Sequence, residues 1–177
     1  MVGIGLMLLC ACGDGTDKQP QGTGDRMFRT TPPSLLYFKN IRSTNYSMEE
    51  HPNTRVEVYR LRRFKETKQR PLLIPLIANN WMEDEAYLFI EPNEYEGGFS
   101  DTLRVFWSDE GEGGVYELAR ASLSQQYEFA RELAQSMRKG HELRVLTAGA
   151  DTVPIFDDQA ARSHFLTTVG DYERLTE

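Results

Sequence analysis

Two cysteines, Cys10 and Cys12, are the side chains of this 177-residue chain best suited to covalent chemistry. They follow a short uncharged apolar run, Val2–Leu9, and the rest of the sequence contains no cysteine. The chain beyond them therefore has neither a disulfide framework nor a cysteine-based zinc site. The run is too short to span a bilayer, which takes about 20 apolar residues. An apolar run of this length is instead typical of a secretory signal peptide.

The tetrapeptide Leu9-Cys10-Ala11-Cys12 resembles the lipobox of bacterial lipoproteins, with an aliphatic residue three positions before the modified cysteine and a small residue directly before it. The resemblance implies a signal peptide over residues 1–11 and a lipidated Cys12, acylated with chains such as palmitate. Two or more acyl chains hold a protein stably on a membrane. This places the protein in the cell envelope, on a periplasmic or surface face. Met1-Val2-Gly3 lacks a basic residue, as expected if the natural start codon lies upstream.

Composition divides the rest of the chain into a tether and a domain. Residues 12–33, with the lipidated cysteine at their head, are rich in Gly and Pro and poor in large apolar residues, which predicts a flexible tether. Residues 34–177 are long enough for one domain with a sizeable core. The layout is similar to that of small envelope lipoproteins of Gram-negative bacteria, and no catalytic residue is inherited from that similarity.

Charge is distributed unevenly over the domain, although the chain as a whole carries a formal charge of −7. The segment Arg55–Arg70 has seven basic and two acidic residues, whereas Met82–Glu117 has eleven acidic residues and one basic residue. One interpretation is that these charges pair with each other. The other is an anion-binding surface for anionic lipid or an acidic partner protein. Its candidate residues are Arg60, Arg62, Arg63, Lys65, Lys68 and Arg70. Overall acidity and export argue against a nucleic-acid partner.

Neither catalysis nor metal binding has a local signature. The three histidines, His51, His141 and His164, are scattered, and no nucleophile-elbow, zinc-protease, Walker or Rossmann motif occurs. We expect His51 and His141 on the solvated surface and His164 at the core boundary. The acidic stretch Asp109–Glu112 lacks the ligand order of a calcium loop and is expected to be a solvated turn. No cofactor, metal site or catalytic residue is predicted.

The pattern of apolar residues predicts an α+β fold, an antiparallel β meander of five or six strands followed by a helix, a β-hairpin and a C-terminal helix packed on the sheet. A single sheet with both helices on one face is expected, and a flattened half-barrel is the alternative. Pro75 indicates an edge or bulged strand. The predicted strands are Leu35–Ile41, Arg55–Leu61, Leu72–Ala78, Ala86–Ile90, Leu103–Trp107, Val115–Leu118, Glu142–Thr147 and Thr152–Phe156.

The two helices have recognisable starts. Ser122 and Gln125 form a candidate capping box for the first, which is expected to end at Gly140. Asp157 is the expected cap of the last helix.

Taken together, the sequence predicts a membrane-anchored envelope lipoprotein acting as a binding or structural module. The alternative is a hydrolase whose site is assembled from distant residues, so the sequence does not decide whether the protein is an enzyme.

Overall fold

The computed structural model describes residues 28–51, 54–64, 67–119 and 122–177. Within these residues the chain forms eight strands and three α-helices, and it has the predicted α+β class. After an N-terminal helix that was not predicted, six strands, a helix, a hairpin and a C-terminal helix follow in the predicted order. The fold differs from the expected single sheet, because the strands divide into two antiparallel four-stranded sheets.

The first sheet is a simple meander. Its strands are β1 (Tyr46–His51), β2 (Val56–Leu61), β3 (Leu73–Asn80) and β4 (Glu85–Pro92), hydrogen-bonded in the order β1-β2-β3-β4. The strand β3 is buried along almost its whole length, as its near-continuous apolar sequence predicts.

The second sheet has the order β6-β5-β7-β8. Its strands are β5 (Leu103–Asp109), β6 (Glu112–Leu118), β7 (Glu142–Leu146) and β8 (Thr152–Ile155). The strand β6 begins earlier than predicted, at Glu112, because Glu110 and Gly111 alone form the turn, with φ angles of 34° and 102°. Positive φ at both positions is the geometry of a two-residue hairpin turn.

The free edge of β4 explains why the meander does not continue into β5. At the start of β4 this edge is occupied by Phe28–Thr30, which exchange backbone hydrogen bonds with Asp84 and Ala86. Near its end, the Ile90 N–H donates to Gln126 Oε1 at 3.0 Å. The edge is therefore covered before β5 could pair with it. These contacts also show that the packed domain includes residues assigned above to the tether.

The prediction of a strand over Leu35–Ile41 is wrong. These residues lie in α1 (Pro32–Tyr37) and in the π-helical turn Phe38–Arg42 that continues it. The Thr31 side chain accepts from the Ser34 N–H, and the Ser34 hydroxyl accepts from the Thr31 N–H, while Pro32 takes the first helical position. This start signal outweighs the strand preference of the apolar and aromatic residues that follow.

Pro75 lies in an interior strand, which corrects the predicted edge or bulge. Pairing of β3 with β4 runs without interruption through Pro75 and Ile90, whereas pairing of β2 with β3 ends at Leu76. The ladder between β2 and β3 therefore stops next to Pro75, whose ring nitrogen has no N–H with which to continue it.

Two long helices complete the core. The helix α2 (Leu123–Lys139) packs on β4 of the first sheet and on β6 of the second, and α3 (Gln159–Leu175) packs on β3 and β4. The caps of α2 are Ser122 and Gly140, as predicted. The cap of α3 is Asp158 rather than Asp157, and it accepts from the Ala161 N–H at 2.7 Å. Because α2 bridges both sheets, the buried side chains form one cluster.

Candidate anion-binding groove

A polar groove of about 910 Å³ lies between the C-terminal end of α2, the outer face of α3 and the turn that contains Arg42. We call it the α2–α3 groove. Its lining contains five cationic side chains and a single carboxylate, that of Asp171. This local excess of positive charge contrasts with the net charge of −7 of the whole chain. The cations are Arg42, Arg138, Lys139, Arg162 and Arg174.

The π-helical turn positions Arg42. Phe38 at its start is buried in the core, and Arg42 at its end points to α3, where Nε and Nη2 donate to Asp171 at 2.8 and 2.9 Å. The hydrogen bond with Asp171 raises the pKa of Arg42. Isolated π-helical turns occur frequently at functional sites. The Arg42 Nη1 group makes no hydrogen bond to a described residue and keeps its donors available.

Asp171 forms the floor of the groove. Its side chain has no exposed surface, and it also accepts from the Tyr46 hydroxyl at 2.8 Å and from Arg174 Nη1 at 3.2 Å. Burial and the adjacent carboxylate raise the pKa of Tyr46, so this hydroxyl remains a donor at ordinary pH. Two guanidinium groups share one carboxylate, and the floor therefore retains a net positive charge.

Arg162 is fixed at the N-terminal part of α3. Its Nε donates to the carbonyl of Phe156 at 2.7 Å and its Nη2 to the carbonyl of His141 at 3.0 Å. Phe156 has a φ of 55°, an unfavourable angle for an aromatic residue, and the bond from Arg162 holds this conformation. Since both acceptors are neutral carbonyls, the full positive charge of Arg162 remains at the groove.

Arg138 and Lys139 project from the last turn of α2. Gly140 ends the helix with a φ of 85°, and its N–H bonds the carbonyls of Met137 and Ser136. Cations are favourable at this end of a helix, which accounts in part for their presence. Arg138 lies 3.9 Å from Glu173, and Lys139 forms no ion pair with a carboxylate of the described residues. The charge of Lys139 is therefore available to an external anion, whereas that of Arg138 is shared with Glu173.

Gly170 leaves open space in the same groove. It lies inside α3, where glycine costs about 1 kcal/mol relative to alanine. A Cβ built at this position would meet no atom within 4 Å, so core packing does not require glycine. The absence of a side chain widens the groove beside Asp171.

The candidates predicted from the basic segment are mostly neutralised. Arg60 lies between Glu49 and Glu91, each at 3.0 Å, and Lys68 contacts Glu94 at 2.7 Å. Pairing with the acidic segment, the simpler of the two interpretations, therefore applies to these two residues. Arg70 contacts Asp157 and Asp158, at 3.5 and 2.8 Å.

Two of the described candidates for anion binding remain uncompensated. Arg62 and Arg63 are exposed in the turn after β2 and form no ion pair with a described carboxylate. Lys65 lies outside the described residues, as does Cys12.

The structure corrects the predicted place of His141. This residue is 7% exposed, because the glycine turn after α2 directs it inward, where it stacks on Trp107 with ring centroids 4.7 Å apart. Its Nδ1 lies 2.8 Å from Ser136 Oγ, and its Nε2 lies 3.9 Å from Asp109 Oδ2. Although these are the residue types of a hydrolytic triad, Ser136 is 1% exposed and offers no access to a substrate.

The other two histidines lie apart from this cluster. His51 is exposed at the end of β1, and half-buried His164 packs edge-on against Phe64 with ring centroids 5.5 Å apart. Burial and the charge of Arg63 lower the pKa of His164. The described residues bring no two histidines into one pocket.

The acidic turn Asp109–Glu112 lines a second, acidic cleft together with Glu142. In the part of the chain that the structure describes, no three His, Cys, Asp or Glu side chains are placed to hold a metal ion. Among the same residues, none of the helices combines the length and the apolar character needed to cross a bilayer.

The α2–α3 groove has no continuous signal in the sequence, because its cations come from three separate parts of the chain. Two local signals were present. Arg138-Lys139-Gly140 marks a cationic helix end, and the steps of four from Arg162 through Gly170 to Arg174 place these residues along one side of α3. The contribution of Arg42 depends on a helix that the sequence pattern assigned to a strand.

Comparisons of the chain with protein-family models, with curated proteins and with solved structures return no match.

Proposed function

We propose that this protein is a lipid-anchored lipoprotein of a bacterial cell envelope and that its domain binds an anionic ligand in the α2–α3 groove. The lipobox-like tetrapeptide ending at Cys12 supports the anchor. The observation that carries the binding function is the convergence of five cationic side chains on one groove of an acidic protein.

Two arginines of the groove are held in position in the absence of a ligand. Arg42 and Arg162 are each held by two hydrogen bonds through Nε and Nη2, so their remaining donors are fixed in position. Binding to such groups loses less side-chain entropy than binding to free arginines. Hydrogen bonds from guanidinium groups to carboxylate or phosphate are about twice as strong as neutral ones.

A binding role is favoured over the alternative of a hydrolase. The triad-like group at His141 has a buried serine, and neither Ser136 nor His141 is among the residues that line the α2–α3 groove. The described lining of the groove consists mainly of cations, hydroxyl groups, an amide and the ion-paired Asp171, and it places no activated nucleophile beside a general base. Its side chains are suited to hold a charged ligand.

Fatty-acid labelling tests the anchor. We expect the full-length chain, expressed in a Gram-negative host with a basic start segment added before Met1, to incorporate an alkyne-tagged palmitate and to fractionate with membranes. The Cys12→Ser variant should lose the label, whereas the matched control Cys10→Ser should keep it. Equal labelling of wild type and Cys12→Ser would contradict lipidation.

Anion binding is tested separately with the full-length protein in neutral detergent. We expect titration with polyanions to give saturable binding that weakens as salt rises, since charge contacts are screened. Changing Arg138 and Lys139 to Gln should reduce it. Binding that is unaffected by this change would contradict the assignment to the groove.

A further inference from the structure

We propose that the ligand of the α2–α3 groove is an acidic sugar chain, a carbohydrate that carries carboxylate or phosphate groups along its length. The inference rests on the proposed function, anion binding in this groove, and adds the chemical class of the ligand.

The size of the groove favours a ligand larger than a single ion. Its volume of about 910 Å³ is at the upper end of the range of about 300–1,000 Å³ that is typical of sites for organic ligands. A single inorganic anion would leave most of this space filled with water. The groove therefore fits a ligand of several rings.

The cations are distributed along the groove, on three separate elements. Arg162 and Arg174 lie twelve positions apart on α3, so their backbone positions are about 18 Å apart along the helix axis. Arg138 and Lys139 approach from the end of α2, and Arg42 from the opposite turn. A single small anion contacts only the cations next to it, whereas an extended ligand with several anionic groups can contact cations along the whole groove.

Neutral polar side chains lie between the cations. The side chains of Gln159 and Ser163 line this space and have no hydrogen-bond partner among the described residues. The Thr167 hydroxyl donates to the Ser163 carbonyl at 2.7 Å and keeps its acceptor positions. Alternating cations and neutral donor–acceptor groups match a ligand that alternates acidic groups and hydroxyl groups.

Two further residues favour sugar rings. Tyr37 is 48% exposed at one wall, where its ring offers a flat apolar surface with a polar hydroxyl. Gly170 leaves room for a ring to lie close to the backbone of α3. Of the described residues that line the groove, two have wholly apolar side chains, Met137 and Leu166, which is too few for an acyl chain.

Other polyanions fit less well. A bilayer surface is flat and cannot enter a concave groove whose floor is the buried Asp171. Single-stranded nucleic acid is usually held by several aromatic side chains that stack on successive bases. The groove provides one such ring, that of Tyr37.

The test compares probes on the full-length protein in neutral detergent by isothermal titration calorimetry. The acidic sugar probes are hexagalacturonate and a phosphorylated pentamannose. The comparison probes are maltohexaose, inorganic phosphate and a single-stranded DNA hexamer. We expect an acidic sugar to bind at least about tenfold more tightly than each comparison probe, the gain of one additional charge-assisted hydrogen bond or more.

Variants locate the binding to the groove. Changing Arg138 and Lys139 to Gln should weaken binding of the acidic sugar about tenfold. The matched control changes Arg62 and Arg63 to Gln, which removes the same charge from exposed residues that do not line the groove. It should leave the affinity unchanged. Replacing Gln159 and Ser163 with Ala should weaken binding of the acidic sugar while leaving binding of inorganic phosphate unaltered.

Each other result has a distinct meaning. If inorganic phosphate or the DNA hexamer binds as tightly as the acidic sugars, the sugar-chain inference is wrong and anion binding stands. If maltohexaose binds equally well, the charges do not select the ligand and the inference is again wrong. If none of the anionic probes binds, the proposed function fails together with the inference.

Discussion

Arg42 and Asp171 join the N-terminal helical turn to α3 through two hydrogen bonds, at 2.8 and 2.9 Å, to a carboxylate with no exposed surface. Tyr46 at the start of β1 donates to the same carboxylate at 2.8 Å. Removing the two charges of a buried ion pair from water costs free energy that offsets much of their mutual attraction. Such a pair therefore fixes how the two segments are placed more than it raises the free energy of unfolding. The pair therefore sets the position of the groove floor relative to the first sheet.

Replacing Asp171 with Asn should be strongly destabilising. The change leaves the guanidinium groups of Arg42 and Arg174 without a compensating charge, and breaking a buried pair in this way costs about 3 kcal/mol or more. Urea denaturation monitored by circular dichroism measures the free energy of unfolding. As a control, Tyr46→Phe removes one hydrogen bond to the carboxylate and should cost about 1.5–3 kcal/mol. A loss below 1 kcal/mol for Asp171→Asn would show that the pair contributes little.

Asp158 should give α3 a pH-dependent stability. Its hydrogen bond from the Ala161 N–H, and then the charge of Arg70, lower the pKa of Asp158 below its ordinary value of 3.8. The unfolded state therefore binds the proton more tightly than the folded state does. The resulting stabilisation is complete above pH 3.8 and is lost as the pH falls through the pKa of the folded state.

We expect Asp158→Ala to lower the free energy of unfolding by about 1 kcal/mol at pH 7, the usual effect of removing an N-cap. The difference from wild type should shrink as pH is lowered below 3.8, which urea denaturation at pH 7 and pH 3 measures. Asp158→Asn retains a capping side chain and should lose less stability at pH 7. A difference between wild type and Asp158→Ala that does not change with pH would contradict the role of the ionised carboxylate.

The sequence predicted the elements whose signals are local and strong. Periodicity and caps located α2, and alternation with turn residues located the strands from β2 onward. The strand pattern of Leu35–Ile41 was misleading because Thr31, Pro32 and Ser34 start a helix there. The division into two sheets could not be predicted, since it depends on Phe28–Thr30 and Gln126 covering the edge of β4.

The candidate site was harder to predict than the fold. The dense basic run at residues 60–70 was the visible signal, yet Arg60 and Lys68 are compensated by Glu91 and Glu94. Arg42 and Arg174, more than 130 positions apart in the sequence, meet only because both contact Asp171. The number of charged residues in a stretch of sequence does not indicate which of them form ion pairs in the tertiary structure.

Gly170→Ala should stabilise the protein while weakening binding in the groove. Alanine is favoured over glycine inside a helix by about 1 kcal/mol, and a Cβ here meets no atom within 4 Å. Thermal denaturation measures the first effect and calorimetric titration with hexagalacturonate the second. Gly140→Ala is the contrasting control, because a φ of 85° makes alanine unfavourable there and the protein should become less stable. A more stable Gly170→Ala protein with unaltered affinity would show that the space at Gly170 is not used by the ligand.

The uncompensated residues of the basic segment predict weak contact with anionic lipid. Each Lys or Arg near an anionic bilayer contributes about 1 kcal/mol, so Arg62 and Arg63 together correspond to about a thirtyfold change in partition coefficient. The measurement is co-sedimentation of the domain from Phe28 onward, which lacks Cys12, with vesicles that contain anionic lipid at low salt. Changing Arg62 and Arg63 to Gln should reduce binding by about this factor, whereas changing Arg60 and Lys68, which are already paired, should reduce it less. If the larger loss comes instead from changing Arg138 and Lys139, the α2–α3 groove rather than the basic segment faces the membrane.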